Sequence, residues 1–257
     1  MRLKVKLHSP LKTITTLVLS LTAPCVVADV YELRTYTTNE GKLDNLNARF
    51  RDHTVKLFEK HGMENVGYWV PEDAPQSKNT LIYVLKHKSR ASAQASWKAF
   101  LADPEWKKVA KASQVDGKIL AQRPESVFME ATDYTPSNSS KKADPSAGTY
   151  ELRIYRTHPG KLSKLDSRFR EHTMRIFEQH GMTNVAYWHP TDEPDSTDTL
   201  IYILRHDNRE AATASWKAFG SDPAWRKVAK ESQKDGKFLR ERPESIYMQA
   251  TDYSPLK

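Results

Sequence analysis

Apolar and polar positions alternate over residues 30–36, "VYELRTY", and the run is rich in strand-forming residues, which predicts a β-strand. The period then changes. In residues 41–62, "GKLDNLNARFRDHTVKLFEKHG", Leu43, Leu46, Phe50, Thr54, Leu57 and Phe58 recur at helical spacing, and Gly62 supplies a stop. "ENVGYWV" (64–70) reads as a second strand, ended by "PEDAP", and "TLIYVLKH" (80–87) as a third, apolar on both faces. "SRASAQASWKAF" (89–100) predicts a helix, and Asp103-Pro104 starts another with an N-cap residue and a proline in the first helical position. "PESVFMEA" (124–131) is a last strand. The order βαββαβ is the ferredoxin-like split unit.

The whole pattern then recurs. Aligning Tyr31 with Tyr150 sets an offset of 119 that holds without a gap to the C-terminus. His53 meets His172, Trp69 meets Trp188, Pro104 meets Pro223 and Tyr134 meets Tyr253. A period of one small domain marks a tandem duplication rather than a solenoid. Between the copies, residues 135–148, "TPSNSSKKADPSAG", have no apolar periodicity and read as a linker. The expected domains are therefore 29–134 and 149–257.

The chain has 257 residues and a formal charge of +8, and four of its basic residues (Arg2, Lys4, Lys6 and Lys12) lie in an N-terminal stretch without Asp or Glu. Without that stretch the charge is spread over mixed-sign helices, which speaks against a nucleic-acid footprint. Residues 1–28 resemble an export signal: a basic start, the apolar run "TITTLVLSLTA", then small residues ending at Ala28. The apolar run is too short to span a bilayer. Cleavage before Asp29 would make the mature protein periplasmic or secreted, with no integral membrane segment. It would also remove Cys25, the only cysteine, and with it disulfides, thiol catalysis and cysteine–metal sites.

"VYELRTY" and "TYELRIY", each followed by "GKL", together with the paired His-Gly-Met, Tyr-Trp and Asp-Pro-x-Trp elements, resemble the NIPSNAP family. The resemblance covers residues 30–134 and 149–253. It implies the dimeric α/β-barrel superfamily, in which two ferredoxin-like units bring their sheets together with helices outside. The expected fold class is α+β: two tandem βαββαβ domains forming a pseudo-dimeric α/β barrel within one chain. The alternative is pairing of each copy with another chain in a homo-oligomer. The family often carries His-x-Trp-x-Tyr on its third strand, where this chain has Leu81-Ile82-Tyr83-Val84-Leu85. Related barrels include cofactor-free oxygenases, isomerases and haem enzymes, and some NIPSNAP proteins act through protein contacts. Catalysis, substrate and partner are left open by the resemblance.

Within such a barrel, alternation sorts the side chains. Tyr31, Leu33 and Thr35 share one face of the first strand, expected to meet the helices; Glu32, Arg34 and Tyr36 share the other, expected to line the barrel interior with their partners Glu151, Arg153 and Tyr155. On the last strand Val127 and Met129 are assigned to the helices, leaving Phe128 and Glu130 inward, with Tyr247 and Gln249 as their partners in the second copy. Tyr83 and Tyr202 lie on strands apolar on both faces, so their direction is undecided. Two readings follow. Glu32–Arg34 and Glu151–Arg153 form self-satisfied networks, or Arg34, Tyr36, Tyr83, Arg153, Tyr155, Tyr202 and Tyr247 line a cavity for a small organic molecule. His53 and His172 fall on or beside the buried helical stripe, as packing residues or as a general base, metal or haem ligand. No metal spacing occurs, no cofactor is called for, and a haem is not excluded.

Overall fold

Strand β1 (Val30–Thr37) pairs along its whole length with β3 (Thr80–His87) and, over Val30–Thr35, with β4 (Glu125–Ala131). Strand β2 (Glu64–Pro71) flanks β3 on its far side, interrupted by a bulge between Asn65 and Gly67. The computed structural model describes residues 28–137 and 148–256; the predicted export signal and the centre of the predicted linker lie outside them. Strands β5 (Thr149–Arg156), β6 (Thr183–Pro190), β7 (Thr199–His206) and β8 (Glu244–Ala250) repeat the arrangement, with the bulge between Asn184 and Ala186.

The two sheets are closed by short antiparallel seams, β2 with β8 and β4 with β6, into one eight-stranded barrel of order β1-β3-β2-β8-β5-β7-β6-β4. Closure removes every sheet edge. It occurs within one chain, as the duplication implied. Reciprocal pairs across the pseudo-twofold axis hold the halves: Arg90 with Asp192 and Arg209 with Asp73, Arg51 with Asp252 and Arg170 with Asp133.

The barrel interior is an apolar core. Leu33, Trp69, Ile82, Val84 and Met129 of the first repeat meet Tyr150, Leu152, Trp188, Ile201 and Met248 of the second, with no helix residue among them. Gly67 leaves room for the Trp69 ring, which a Cβ there would meet at 2.3 Å. Both strand-face assignments made from the sequence are thus inverted. Tyr31, Leu33, Val127 and Met129 point into the barrel, whereas Tyr36, Tyr83, Tyr155 and Tyr202 pack under the helices. Phe128 and Tyr247 also leave the interior, each capped by the guanidinium of Arg90 or Arg209 at 3.6 Å. The reason is burial. Inside the barrel each sheet is covered by another sheet, so apolar side chains fit there, and the charged set goes beneath the helices, where Trp97, His87 and Ser126 satisfy it.

The helices cover the outside. In the first repeat they are α1 (Leu43–Arg49), α2 (Val55–Lys60), α3 (Arg90–Ala102) and α4 (Pro104–Ala112). In the second they are α5 (Leu162–Arg168), α6 (Met174–Gln179), α7 (Arg209–Ser221) and α8 (Pro223–Ser232). The sequence predicts one continuous helix over 41–62; the structure breaks it with a π-turn over Phe50–Thr54, and its counterpart over Phe169–Thr173.

Candidate functional site

Each repeat has a cavity between the outer face of its sheet and its helices, and two arginines of different standing lie beneath those helices; Arg34 and Arg49 both line the first cavity, and of their counterparts Arg168 lines the second. Arg34 comes from β1. Its Nη1 donates to Glu32 Oε1 at 2.6 Å, and its guanidinium stacks 4.3 Å from the Trp97 ring of α3. Glu32 is 1% exposed and accepts three further bonds, from Ser126 Oγ at 2.6 Å, Trp97 Nε1 at 2.7 Å and His87 Nε2 at 3.1 Å. Burial works against its charge, but these donors, His87 foremost and the Arg34 charge next, outweigh burial and bring the pKa down to about 2. Glu151 has the same partners in Arg153, Ser245, Trp216 and His206, and the same pKa of about 2. The self-satisfied network expected from the sequence is present in both repeats, but it lies beneath the helices, and its His, Trp and Ser members come from sites distant in sequence.

Arg49 has no such partner. It ends α1, is 7% exposed, and its hydrogen bond is one 3.3 Å contact to Ser113 Oγ. Its guanidinium lies 5.3 Å from the Trp106 ring, and its Nε is unbonded. Among the described residues no carboxylate pairs with it. Burial accordingly lowers its pKa, with Tyr36 and Tyr83 acting in the opposite direction. Arg168 repeats each point: 7% exposed, a 3.5 Å contact to Ser232 Oγ, and aromatic faces of Trp225 and Phe238 at 5.1 and 4.8 Å.

The π-turn aims these arginines. The Val55 amide donates to the Phe50 carbonyl, five residues back, and buried Thr54 Oγ1 donates to the Arg49 carbonyl at 3.1 Å. Arg49 and Phe50 share the buried face of α1 with Leu46, and the π-turn follows them directly; such turns recur at functional sites. Thr173 and Arg168 repeat the bond.

The first cavity is about 450 Å³, with Tyr36, Phe50, Phe58, Phe100 and Trp106 as walls and Arg34, Arg49 and Arg123 as its charges. The second is about 660 Å³; Tyr155, Phe169, Phe177, Phe219 and Trp225 are its walls, Arg168 is its buried charge, and Lys237, Arg240, Glu241 and Arg242 also line it. Tyr83 lies behind Tyr36, ring centroids 5.3 Å apart, with its buried hydroxyl interacting with that of Tyr36; Tyr202 stands likewise behind Tyr155. Burial raises both hydroxyls well above the ordinary tyrosine range, so they remain donors.

The structure brings Arg34, Tyr36 and Tyr83 together, and Arg153, Tyr155 and Tyr202 likewise, but outside the barrel interior. Of these, Arg34, Tyr36 and Tyr155 line a cavity, while Tyr83, Arg153 and Tyr202 lie behind the linings; Tyr247 is apart from the second cavity's lining, against His206 and Arg209. His53 is exposed and His172 nearly half so, because the π-turn rotates them off the buried stripe onto grooves between α1 and α4 and between α5 and α8. Among the described residues no three His, Cys, Asp or Glu side chains group as metal ligands, and no helix is long and apolar enough to cross a membrane.

A family model described as NIPSNAP matches residues 31–136 and again residues 150–255. The chain belongs to the NIPSNAP family. No curated protein matches it. Among solved structures, this NIPSNAP protein is similar to an anthrone oxidase-like protein (TM-score 0.56, 15% identity, covering 88% of this chain and 93% of that one). It is also similar to a provisionally named monooxygenase from Fusobacterium nucleatum (TM-score 0.52, 12% identity, 87% and 93%). A third likeness is to chlorite dismutase from Candidatus Nitrospira defluvii (TM-score 0.51, 11% identity, 88% and 92%). At these identities the likeness shows a shared tandem α/β-barrel fold and nothing of activity.

Proposed function

We propose that each repeat binds a small aromatic organic anion in the cavity between its sheet and its helices. The observation that carries this reading is the buried, carboxylate-free guanidinium of Arg49 and of Arg168. A buried cation without a counter-ion costs several kcal/mol, and a ligand carboxylate or phenolate would remove that cost. The flat rings of Phe50, Phe100 and Trp106 suit an aromatic body. Tyr36, which lines the same cavity, supplies a hydroxyl.

Catalysis is the second reading. Fixed donors that stay protonated are what a developing enolate needs, so an oxygenase or isomerase acting on the bound anion without a cofactor would use the same groups. A non-catalytic scaffold, by contrast, would leave the cavities empty. The basic, apolar and small-residue order of residues 1–28 supports export, with cleavage before Asp29; N-terminal sequencing of the protein recovered from its compartment tests this.

Calorimetric titration with 2-naphthoate tests the binding reading. The expected result is two sites per chain, with Arg49→Met and Arg168→Met each removing one, a loss of about tenfold or more in affinity at that site. Unchanged binding in the double variant would refute it.

A further inference from the structure

The two cavities share their aromatic walls, Tyr36, Phe50, Phe58, Phe100 and Trp106 matching Tyr155, Phe169, Phe177, Phe219 and Trp225, but differ at the rim. Leu101, in the last turn of α3, lines the first cavity and is 58% exposed. Its counterpart in α7 is Gly220. Both choices are locally unfavourable. A leucine this exposed gains little from burial where it stands. A glycine inside a helix weakens it relative to any ordinary residue, and Gly220 has no backbone reason to be there: its φ is not left-handed, and a Cβ added to it would meet nothing within 4 Å. What the pair does change is the side chain offered to the cavity. Leu101 lines the 450 Å³ cavity beside Phe100, whereas Gly220, next in sequence to the wall residue Phe219 of the 660 Å³ cavity, has no side chain and is not among that cavity's lining residues.

The second mouth also carries more polar groups. His158 and Arg240 line it where the first repeat has Asn39 and Ala121. Arg240 is held by Asp198, which replaces Asn79. The extra room of the second cavity is therefore rimmed by groups that can meet water or a polar substituent at the far end of a long ligand.

We infer that position 101/220 is a size selector that gives the repeats different ligands: a short, one- or two-ring aromatic anion under Leu101, and a longer one, three fused rings or an equivalent length, past Gly220. This rests on the anion reading above. Benzoate, 2-naphthoate and anthracene-2-carboxylate, titrated calorimetrically against the Arg168→Met variant (first cavity alone) and the Arg49→Met variant (second cavity alone), separate the two claims. The first cavity is expected to bind benzoate and 2-naphthoate and to bind anthracene-2-carboxylate at least tenfold more weakly than 2-naphthoate. The second is expected to bind all three. Adding Leu101→Ala is expected to bring anthracene-2-carboxylate into the first cavity, and adding Gly220→Leu, which the open space around Gly220 accommodates, to exclude it from the second while leaving benzoate unchanged. One size profile shared by both cavities, or profiles that neither exchange moves, would overturn the selector while leaving the anion reading in place. Absence of binding at both cavities would overturn both.

Discussion

Arg34 and Arg49 line one cavity, yet their loss should have opposite consequences for stability. Replacing Arg34 with Met leaves the buried Glu32 carboxylate without its ion partner, and breaking a buried pair from one side costs about 3–5 kcal/mol. Replacing Arg49 with Met removes a buried charge that has no partner to strand, so stability should stay within about 1 kcal/mol of the parent or rise. Urea unfolding of the two variants measures the difference. Equal destabilisation would mean that Arg49 has a structural role comparable to that of Arg34. The sequence showed Arg34 through its place on an alternating strand. Arg49 was hidden, although a signal was there: it stands three residues after Leu46, as Arg168 stands three after Leu165, on the apolar stripe of a helix. A charge on that stripe in both copies marks a buried cation.

At the scale of elements, Glu32 ties together β1, β3, β4 and α3 through Arg34, His87, Ser126 and Trp97. Its pKa in the fold, about 2, lies below its ordinary 4.5. The stability it confers is therefore complete above about pH 4.5 and lost as pH falls toward 2, on the order of 3 kcal/mol for each of Glu32 and Glu151. Thermal unfolding between pH 2 and pH 7 should show a steep acid limb, and Glu32→Gln/Glu151→Gln should be less stable at pH 7 with a flatter limb. A parent curve already flat below pH 4.5 would contradict the network. The π-turn has its own test: Thr54→Val removes the hydroxyl bond to the Arg49 carbonyl, at a cost of about 1 kcal/mol, and should weaken anion binding at the first cavity alone. Strand order and helix positions were legible because each element has its own period. Which strand face turns inward was not, because alternation separates two faces without saying which has the drier cover. Leu33 and Glu32 exchange places only once the second sheet is known to close over Leu33. The π-turn was invisible because Phe50, Thr54 and Leu57 fit an ordinary helix as well.

For the whole molecule, duplication replaces a dimer interface with an intrachain one. The tail after each fourth strand reaches the first helix of the other repeat: Tyr253 donates to Asn47 and Tyr134 to Asp166. The molecule should be a monomer with two ligand sites that the duplication made free to diverge. Native mass spectrometry with 2-naphthoate tests monomer and sites together. The expected spectrum shows a monomer carrying two anions, one anion on Arg49→Met or Arg168→Met, and none on the double variant. Two anions retained by the double variant, or none bound by the parent, would contradict the assignment of the buried arginines as the anion sites.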